Sequence, residues 1–480
     1  MAGWIAVAVL VLDYVIKLIA LGVVPRNRRP SSGMAWLLLI VIVPYLGFLL
    51  FLVLGRTRLE RRRHEQQAEV NAIIATRTRE LPSRGHGSLE HPYVESAELL
   101  NRNLGALPLT QGNRVDLLPG YADSMAAMAA EIDRATGFVH VEFFISAWDD
   151  VTSPVFDAMV RAVDRGVTVR FLFDHLGSRG IPGYQDFVKR LDATGIDWHP
   201  MLPIRPLKGQ WRRPDLRNHR KILVVDGLVA FTGSQNLIEP GYNKPKNHRA
   251  GREWVELMAR VEGQAATALN VLFATDWYSE TGVKLTAELA VPALPAGDVD
   301  AQVVPSGPGF ATENNLRLFT TLIYSAQRRL SITSPYFVPD ESLLYAVTTA
   351  AQRGVAVELF VSEAGDQFMV FHAQRSYYEA LLRAGVRIYF YPAPAILHSK
   401  FFSVDDDVAV LGSSNMDMRS FALNYEVSMM VVGSDAVGRI RAVEDSYRAM
   451  SKELTLEAWL SRSRGSAYVD NVMRLTAALQ

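Results

Sequence analysis

Two stretches of this chain carry one pattern, a histidine, a lysine two residues later and an aspartate five beyond that: His219, Lys221 and Asp226, then His398, Lys400 and Asp405. Residues two apart on a strand point to the same face, so each imidazole is presented beside an ammonium. A cation there makes a poor metal site and a good phosphate site. The lysine neutralises non-bridging oxygens while the imidazole attacks phosphorus or moves a proton. A single such pair is a weak signal. Two copies, each followed at the same interval by Gly-Ser-x-Asn (233–236 and 412–415), make coincidence a poor explanation.

The apolar runs flanking Asp226-Gly227 and Asp405-Asp406 predict hairpins that turn at those pairs. Two-residue turns would set His219 opposite Ser234 and His398 opposite Ser413, with Asn236 and Asn415 offered to phosphate. The same geometry puts each motif aspartate roughly 23 Å along a straight strand from its histidine, a position that fixes a turn and does not touch substrate.

The elements that position these residues are themselves duplicated. RAVDRGVTVRFLFD at 161–174 resembles TAAQRGVAVELFVS at 349–362, LDATGIDWH at 191–199 resembles LLRAGVRIY at 381–389, and the two motif segments follow. Each unit reads as a helix ending in Arg-Gly and leading into a strand rich in valine and phenylalanine. The expected fold is therefore α/β, with two duplicated lobes of mixed sheet flanked by helices. Spacing between the copies is kept until just before the histidines, where the first lobe carries an extra loop at about 201–218. That loop holds Arg205, Lys208, Arg212, Arg213 and Arg217, candidates for an anionic lipid headgroup or the membrane surface.

Lys+Arg and Asp+Glu are equal at 50 each among 480 residues, so the molecule lacks the field by which a non-specific nucleic-acid binder gathers phosphates. The absence of cysteine excludes disulfides, thiolate metal sites and cysteine nucleophiles. Two apolar runs, 3–24 and 34–54, are each long enough as helices to cross a hydrocarbon core, and a bend is expected at Pro44. Asp13 and Lys17 in the first run sit one turn apart and are expected to pair. Arg26, Arg28 and Arg29 lie between the runs, while the larger cluster of Arg56, Arg58, Arg61, Arg62 and Arg63 follows the second. That cluster is expected to face the cytoplasm and carry the main domain with it. The expected division is a membrane hairpin at 1–55, a basic helix and linker at 56–97, and lobes at 98–290 and 291–480.

The paired motifs resemble the phospholipase D superfamily, over nearly everything after about residue 95. That resemblance implies a metal-independent, cofactor-free transfer in two steps through a phosphohistidine, in one active site formed where the two motifs meet across a pseudo-two-fold axis. It implies His219 as nucleophile and His398 as general acid and base, with Lys221, Asp226, Lys400 and Asp405 completing the motifs. A downstream carboxylate is implied for each histidine; Glu426 in NYEV matches well and Glu253 in GREWVE loosely. Within the superfamily the paired apolar runs, RRPSSGMAWLL at 28–38, PSGPG at 305–309 and TSPYFVPD at 333–340 look like bacterial cardiolipin synthases. The implied reaction joins two phosphatidylglycerol molecules into cardiolipin at the bacterial inner membrane and releases glycerol. Three rival readings are a transferase or hydrolase using another acceptor, a nuclease of the same superfamily, and a non-enzymatic lipid-binding scaffold. Neutral charge disfavours the nuclease, and two intact motifs disfavour the scaffold.

Overall fold

The structure, a computed structural model, describes residues 2–26, 30–55, 91–205, 213–289, 294–310 and 312–477. The expected basic helix lies outside these up to residue 90, as do Arg28, Arg29, Lys208 and Arg212.

Strands of the first lobe are β1 (Thr110–Leu118), β2 (Phe138–Phe143), β3 (Thr168–Asp174), β4 (Asp197–Met201), the short β5 (Arg217–Asn218), β6 (Lys221–Val225), β7 (Val229–Gly233), the short β8 (Trp254–Val255) and β9 (Met258–Glu262). The second lobe has β10 (Val299–Ser306), β11 (Arg329–Thr333), β12 (Phe337–Val338), β13 (Ala356–Ser362), β14 (Arg387–Tyr391), β15 (Ile396–Leu397), β16 (Phe401–Val404), β17 (Val408–Gly412), β18 (Met416–Asp417), β19 (Asn424–Val432) and β20 (Lys452–Leu454). One sheet runs through both, in the order β4-β3-β2-β6-β7-β9-β1-β10-β19-β17-β16-β11-β13-β14-β20. Read outward from the antiparallel β1–β10 pair, the two halves repeat each other strand for strand as far as β4 and β14, beyond which the second half adds the edge strand β20. The mixed character is also as expected: β2, β3 and β4 are parallel, and β2 then pairs antiparallel with β6. β2 is buried along its whole length and β13 at every residue after Ala356, because helices cover both faces, so they read as nearly continuous apolar runs.

The Arg-Gly helix stops are realised by the backbone. After the helix Ser153–Asp164, Gly166 takes φ 85°, and Val167 N–H reaches back to Ala162 O at 3.0 Å. Gly354 (φ 93°) and the Val355 N–H to Ala350 O bond at 3.1 Å repeat this after Glu341–Gln352. A residue with a Cβ is strained there, which is why glycine marks both strand entries.

The helix Pro92–Asn103 crosses the expected lobe boundary at residue 98. Its Val94 and Ala97 are buried in the core of the second lobe with Leu316, Phe319 and Phe402.

The motif hairpins turn one residue later than expected. Val225 pairs with Val229 and Val404 with Val408, so three residues form each turn. Asp226 (φ 52°) and Asp405 (φ 48°) hold left-handed backbone, which aspartate tolerates better than most residues with a Cβ. The one-residue shift removes the pairing of His219 with Ser234 and of His398 with Ser413.

Both aspartates bind backbone instead of lining a pocket. Asp226 accepts from the N–H groups of Thr136 (2.9 Å), Gly137 (2.8 Å) and Phe138 (2.8 Å), clamping the entry to β2. Asp405 does the same for Gln327, Arg328 and Arg329 at the entry to β11. Burial pushes the Asp226 carboxyl up, but these bonds outweigh it and hold it below the usual carboxylate range. The stability it contributes is therefore present above that range and is lost as pH falls through it. Asp226→Ala is expected to cost about 1–3 kcal/mol, the penalty for orphaned donors, while the folded fraction keeps its catalytic rate. A thermal melt and an activity assay on one sample check this; lost activity with an unchanged melt would contradict it.

At the N-terminus α1 (Ala2–Val23) is, among the described residues, the one helix long and apolar enough to cross a membrane. Lys17 and Asp13 pair along it at 2.8 Å. The second apolar run does not form the single bent span that the sequence suggests. It breaks into α2 (Pro30–Ile42) and α3 (Pro44–Leu54), because Pro44 has no N–H to donate and keeps Val43 out of the helical region (φ −131°, ψ 78°). Trp36 and Phe51 rings are 5.6 Å apart, whereas fifteen residues of straight helix would separate them by about 22 Å. A Cβ on Gly47 would lie 2.8 Å from the Leu39 carbonyl oxygen, so glycine permits the close return. The result is a tight helical hairpin whose arms, roughly 20 and 17 Å long, each fall short of the ~30 Å hydrocarbon core.

Candidate active site

Each histidine sits between two short strands and is hung on the opposite lobe. β5 pairs in parallel with the start of β19, which brings His219 N–H to Tyr425 O at 2.8 Å. β15 pairs in parallel with β8, which brings His398 N–H to Val255 O at 2.8 Å. The residue after each acceptor is a buried glutamate. His219 Nδ1 lies 3.0 Å from Glu426 Oε2 and 3.0 Å from Ser413 O, and His398 Nδ1 lies 2.8 Å from Glu256 Oε1. Every imidazole is thus oriented by a carboxylate from the other lobe. With Nδ1 engaged, Nε2 of each ring is left for a substrate atom.

Ser413 and Ser234 hold the strands that carry the two carboxylates, an orienting role. Val427 N–H donates to Ser413 Oγ at 3.0 Å, and Leu257 N–H donates to Ser234 Oγ at 2.9 Å. Ser413 Oγ donates to Glu426. Asn236 is likewise engaged: its Nδ2 donates to Tyr242 Oη at 2.7 Å and its Oδ1 accepts from Ile145 N–H at 3.2 Å. The Asn415 backbone N–H donates to Ser420 Oγ at 3.2 Å, and its buried Oδ1 has no partner among the described residues.

Glu253 is not the counterpart of Glu426. Its side chain is exposed and its carbonyl accepts from Ile396 N–H at 2.9 Å; Glu256, 2 % exposed, takes the role. The sequence carried the signal, since Glu256 precedes Gly263 by the same interval at which Glu426 precedes Gly433.

Arg217 and Arg213 also differ from expectation. Arg217 is buried and pairs with Asp174 at 3.2 Å, while Arg213 is paired with Asp215, so neither is a free headgroup ligand. Arg205 acts on its neighbours His175 and Tyr184. A network that sequence reasoning missed lies behind His219. Arg220, 2 % exposed, pairs with Asp276 and donates from Nε to Glu426 O at 3.1 Å, and Asn218 Nδ2 donates to Glu142 Oε1 at 2.6 Å. Burial, with Asp276 nearby, pushes the Glu142 carboxyl well up.

The two motifs form one electrostatic unit. Burial, opposed by Glu426, takes His219 down to about 4, and the charges of both Lys221 and Lys400 act on it. Burial and the same two lysines put His398 well below the ordinary histidine value. Burial lowers Lys221 to about 7 and Lys400 to about 8. Glu256 is raised to about 7 by burial; Glu426 feels burial too, but His219, Lys221 and Ser413 outweigh it and hold it below the usual range. Two lysines and two imidazoles, backed by Glu426 and Glu256 and acting on one another, form the preorganised polar cluster of a tetrahedral oxyanion site. Among the described residues no group of three or more histidines, cysteines or acids is placed to hold a metal.

A sign follows for pH. The lysines lose their charge as pH rises through about 7 and 8, so affinity for an oxyanion such as tungstate is expected to fall over that window, which the bound anion itself moves upward. Calorimetric titration at several pH values checks this, and affinity that climbs with pH would contradict it.

Comparison with known proteins agrees with this construction. Residues 128–277 and 319–446 match the family model described as cardiolipin synthase, PLD-like domain, and each segment contains one histidine–lysine pair and one of the two glutamates. The chain is 33 % identical over 449 residues to cardiolipin synthase A of Proteus mirabilis (strain HI4320), covering 91 % of this chain and 90 % of that relative.

The chain belongs to the cardiolipin synthase family.

Cardiolipin synthase A of Yersinia pseudotuberculosis serotype IB (strain PB1/+) is 34 % identical over 457 residues, covering 92 % of each chain. The N-terminal residues 15–56 match a second model, described as phospholipase D-nuclease N-terminal. The fold is shared with the crystal structure of phosphatidylserine synthase from Haemophilus influenzae Rd KW20, with TM-score 0.60 and 15 % identity over 80 % of this chain and 99 % of that one. As a cardiolipin synthase of the phospholipase D type, the protein is a phosphatidyltransferase of lipid biosynthesis that acts on phospholipids.

Proposed function

We propose that the enzyme transfers a phosphatidyl group from one phosphatidylglycerol to a hydroxyl of a second, forming cardiolipin and releasing glycerol, with His219 as nucleophile and His398 as general acid and base. The observation that carries this is the crossed pairing of each histidine with the other lobe's glutamate, which hangs both rings on the boundary between the lobes and supports a single shared phosphorus atom. His219 Nε2 attacks phosphorus; the bond to the glycerol oxygen breaks, and that oxygen takes the proton held by His398 Nε2. In the second step the incoming hydroxyl gives its proton to His398, its oxygen bonds to phosphorus, and the phosphorus–nitrogen bond breaks.

The carboxylates favour this order. Glu426, held below the usual range, keeps a proton on Nδ1 of His219 and a lone pair on Nε2, as a nucleophile requires. His398 must start protonated. Burial and two lysines oppose that, and the anionic phosphodiester offsets their charge on binding.

The catalytic lobes lie on the cytoplasmic face of the bacterial inner membrane in this reading, following the arginine cluster at 56–63. If α1 alone crosses and the α2–α3 hairpin returns to its own side, the N-terminus lies on the opposite face from the lobes.

Purified protein given phosphatidylglycerol alone is expected to yield cardiolipin and glycerol in equal amounts. Phosphatidic acid as the main product would replace the transferase reading with a hydrolase, and no turnover would favour the scaffold.

A further inference from the structure

The two lobes differ beside their histidines in a way the shared chemistry does not require. In the first lobe the end of β3 supplies Asp174, which accepts from Asn218 N–H at 3.0 Å and pairs with Arg217. At the matching place in the second lobe the end of β13 supplies Ser362, which accepts from Leu397 N–H at 2.7 Å, and Ile396 stands where Arg217 does. A buried ion pair thus occupies one side, and a serine and an isoleucine the other. Beside them the second lobe has a narrow cleft lined among others by Tyr336, Ser362, Asp366, Phe371, Gln374 and Ile396.

The cleft's polar groups converge next to His398. The Tyr336 ring meets the His398 ring edge-on with centroids 6.3 Å apart. Its hydroxyl donates to Asp366 Oδ2 at 2.7 Å and accepts from Gln367 Nε2 at 2.8 Å. The register that sets Phe143 opposite Lys221 and Thr333 opposite Phe401 makes Ile145 the counterpart of Tyr336, so the first lobe has an apolar side chain there. Asp366 is close enough for its charge to act on both His398 and Lys400.

A carboxylate repels a phosphodiester, so phosphate binding does not account for Asp366. A carboxylate and a phenol held together suit a neutral polyol, whose neighbouring hydroxyls donate to the one and exchange hydrogen bonds with the other. We propose that this cleft is the alcohol subsite, and that Tyr336 and Asp366 recognise the non-reacting hydroxyls of the glycerol, two on the leaving or free alcohol and one on an incoming phosphatidylglycerol headgroup, while His398 handles the reacting oxygen. The inference rests on the reading above in which His398 moves the alcohol's proton. It adds what selects the alcohol: a site built to bond hydroxyls discriminates against an acceptor that lacks them.

The test uses full-length enzyme in detergent micelles with phosphatidyl-p-nitrophenol as donor, whose leaving group needs neither a proton nor polyol contacts. Glycerol and 1-propanol compete as acceptors at equal concentration, and mass spectrometry gives the ratio of phosphatidylglycerol to phosphatidylpropanol. Wild type is expected to favour glycerol, and Asp366→Leu and Tyr336→Phe to lower the ratio, by about tenfold or more for Asp366→Leu. Because both acceptors share one base, the ratio is insensitive to a change in His398 basicity. An unchanged ratio in both variants overturns the subsite, as does loss of both products together, which would assign the pair to the chemical step. Absence of p-nitrophenol release from wild type would instead refute the phosphohistidine reading.

Discussion

His219→Ala is expected to release no p-nitrophenol from phosphatidyl-p-nitrophenol, whereas His398→Ala still gives a burst of one equivalent per enzyme. The difference follows from the proposed roles. An activated phenolate leaves without a proton, so the first step needs the nucleophile and can dispense with the acid. The second step has no such escape, because the incoming hydroxyl must lose a proton to become a good nucleophile. His398→Ala is therefore expected to stall as the phosphoenzyme and to lose about 10²–10⁴-fold in cardiolipin formation from phosphatidylglycerol. Stopped-flow absorbance with unchanged circular dichroism makes the measurement. A burst in His219→Ala and none in His398→Ala would exchange the two assignments.

Glu426→Gln is expected to be nearly as damaging although the residue touches no substrate. The carboxylate accepts from His219 Nδ1 across the lobe boundary, and an amide can present its NH₂ there, which favours the tautomer with Nε2 protonated. In the Ser-His-Asp arrangement the equivalent change costs about 10⁴-fold, and a loss on the order of 10³–10⁴ in kcat is expected here. Glu256→Gln should cost less. Glu256 is raised to about 7 by burial, so part of the wild-type population near neutral pH already lacks its charge. Comparing kcat for the two variants, with ¹⁵N spectra reporting the imidazole tautomers, tests this ordering. Equal losses, or a full-rate Glu426→Gln, would remove the orienting role.

What the sequence could reveal depended on whether a feature repeats. The duplicated lobes, the mixed sheet and both histidine–lysine pairs were legible because each occurs twice and the second copy validates the first. Glu256 was harder to find. The stretch between Ser234 and Glu256 is longer than that between Ser413 and Glu426, so counting forward from the histidine led to Glu253, and only alignment on Gly263 and Gly433 finds the right residue. The crossing of partners was hidden for a different reason. It arises from β5 pairing with β19 and β15 with β8, two-residue pairings that are tertiary and leave no periodicity in the chain. The motif serines were set opposite the histidines, and the asparagines offered to phosphate, because the hairpins were given two-residue turns, and a one-residue change of register moves every facing pair. Hydropathy found the second apolar run but not its path, since apolar content is the same for a span and for a hairpin folded at Pro44.

The buried arginines show another limit. Arg217, expected at a headgroup or the membrane surface, and its neighbour Arg220 are both almost fully buried. Their partners Asp174 and Asp276 lie 43 and 56 residues away. Removing either partner alone would strand a charge in the interior, so the ion pairs fix the geometry behind His219.

The central claim, that both lobes act on one phosphorus atom, is tested most directly by a crystal structure of the enzyme with bound tungstate. The expected result is a single oxyanion with Nε2 of His219 and His398 and Nζ of Lys221 and Lys400 all within hydrogen-bonding distance. Two oxyanions in separate cavities, one per lobe, would contradict it.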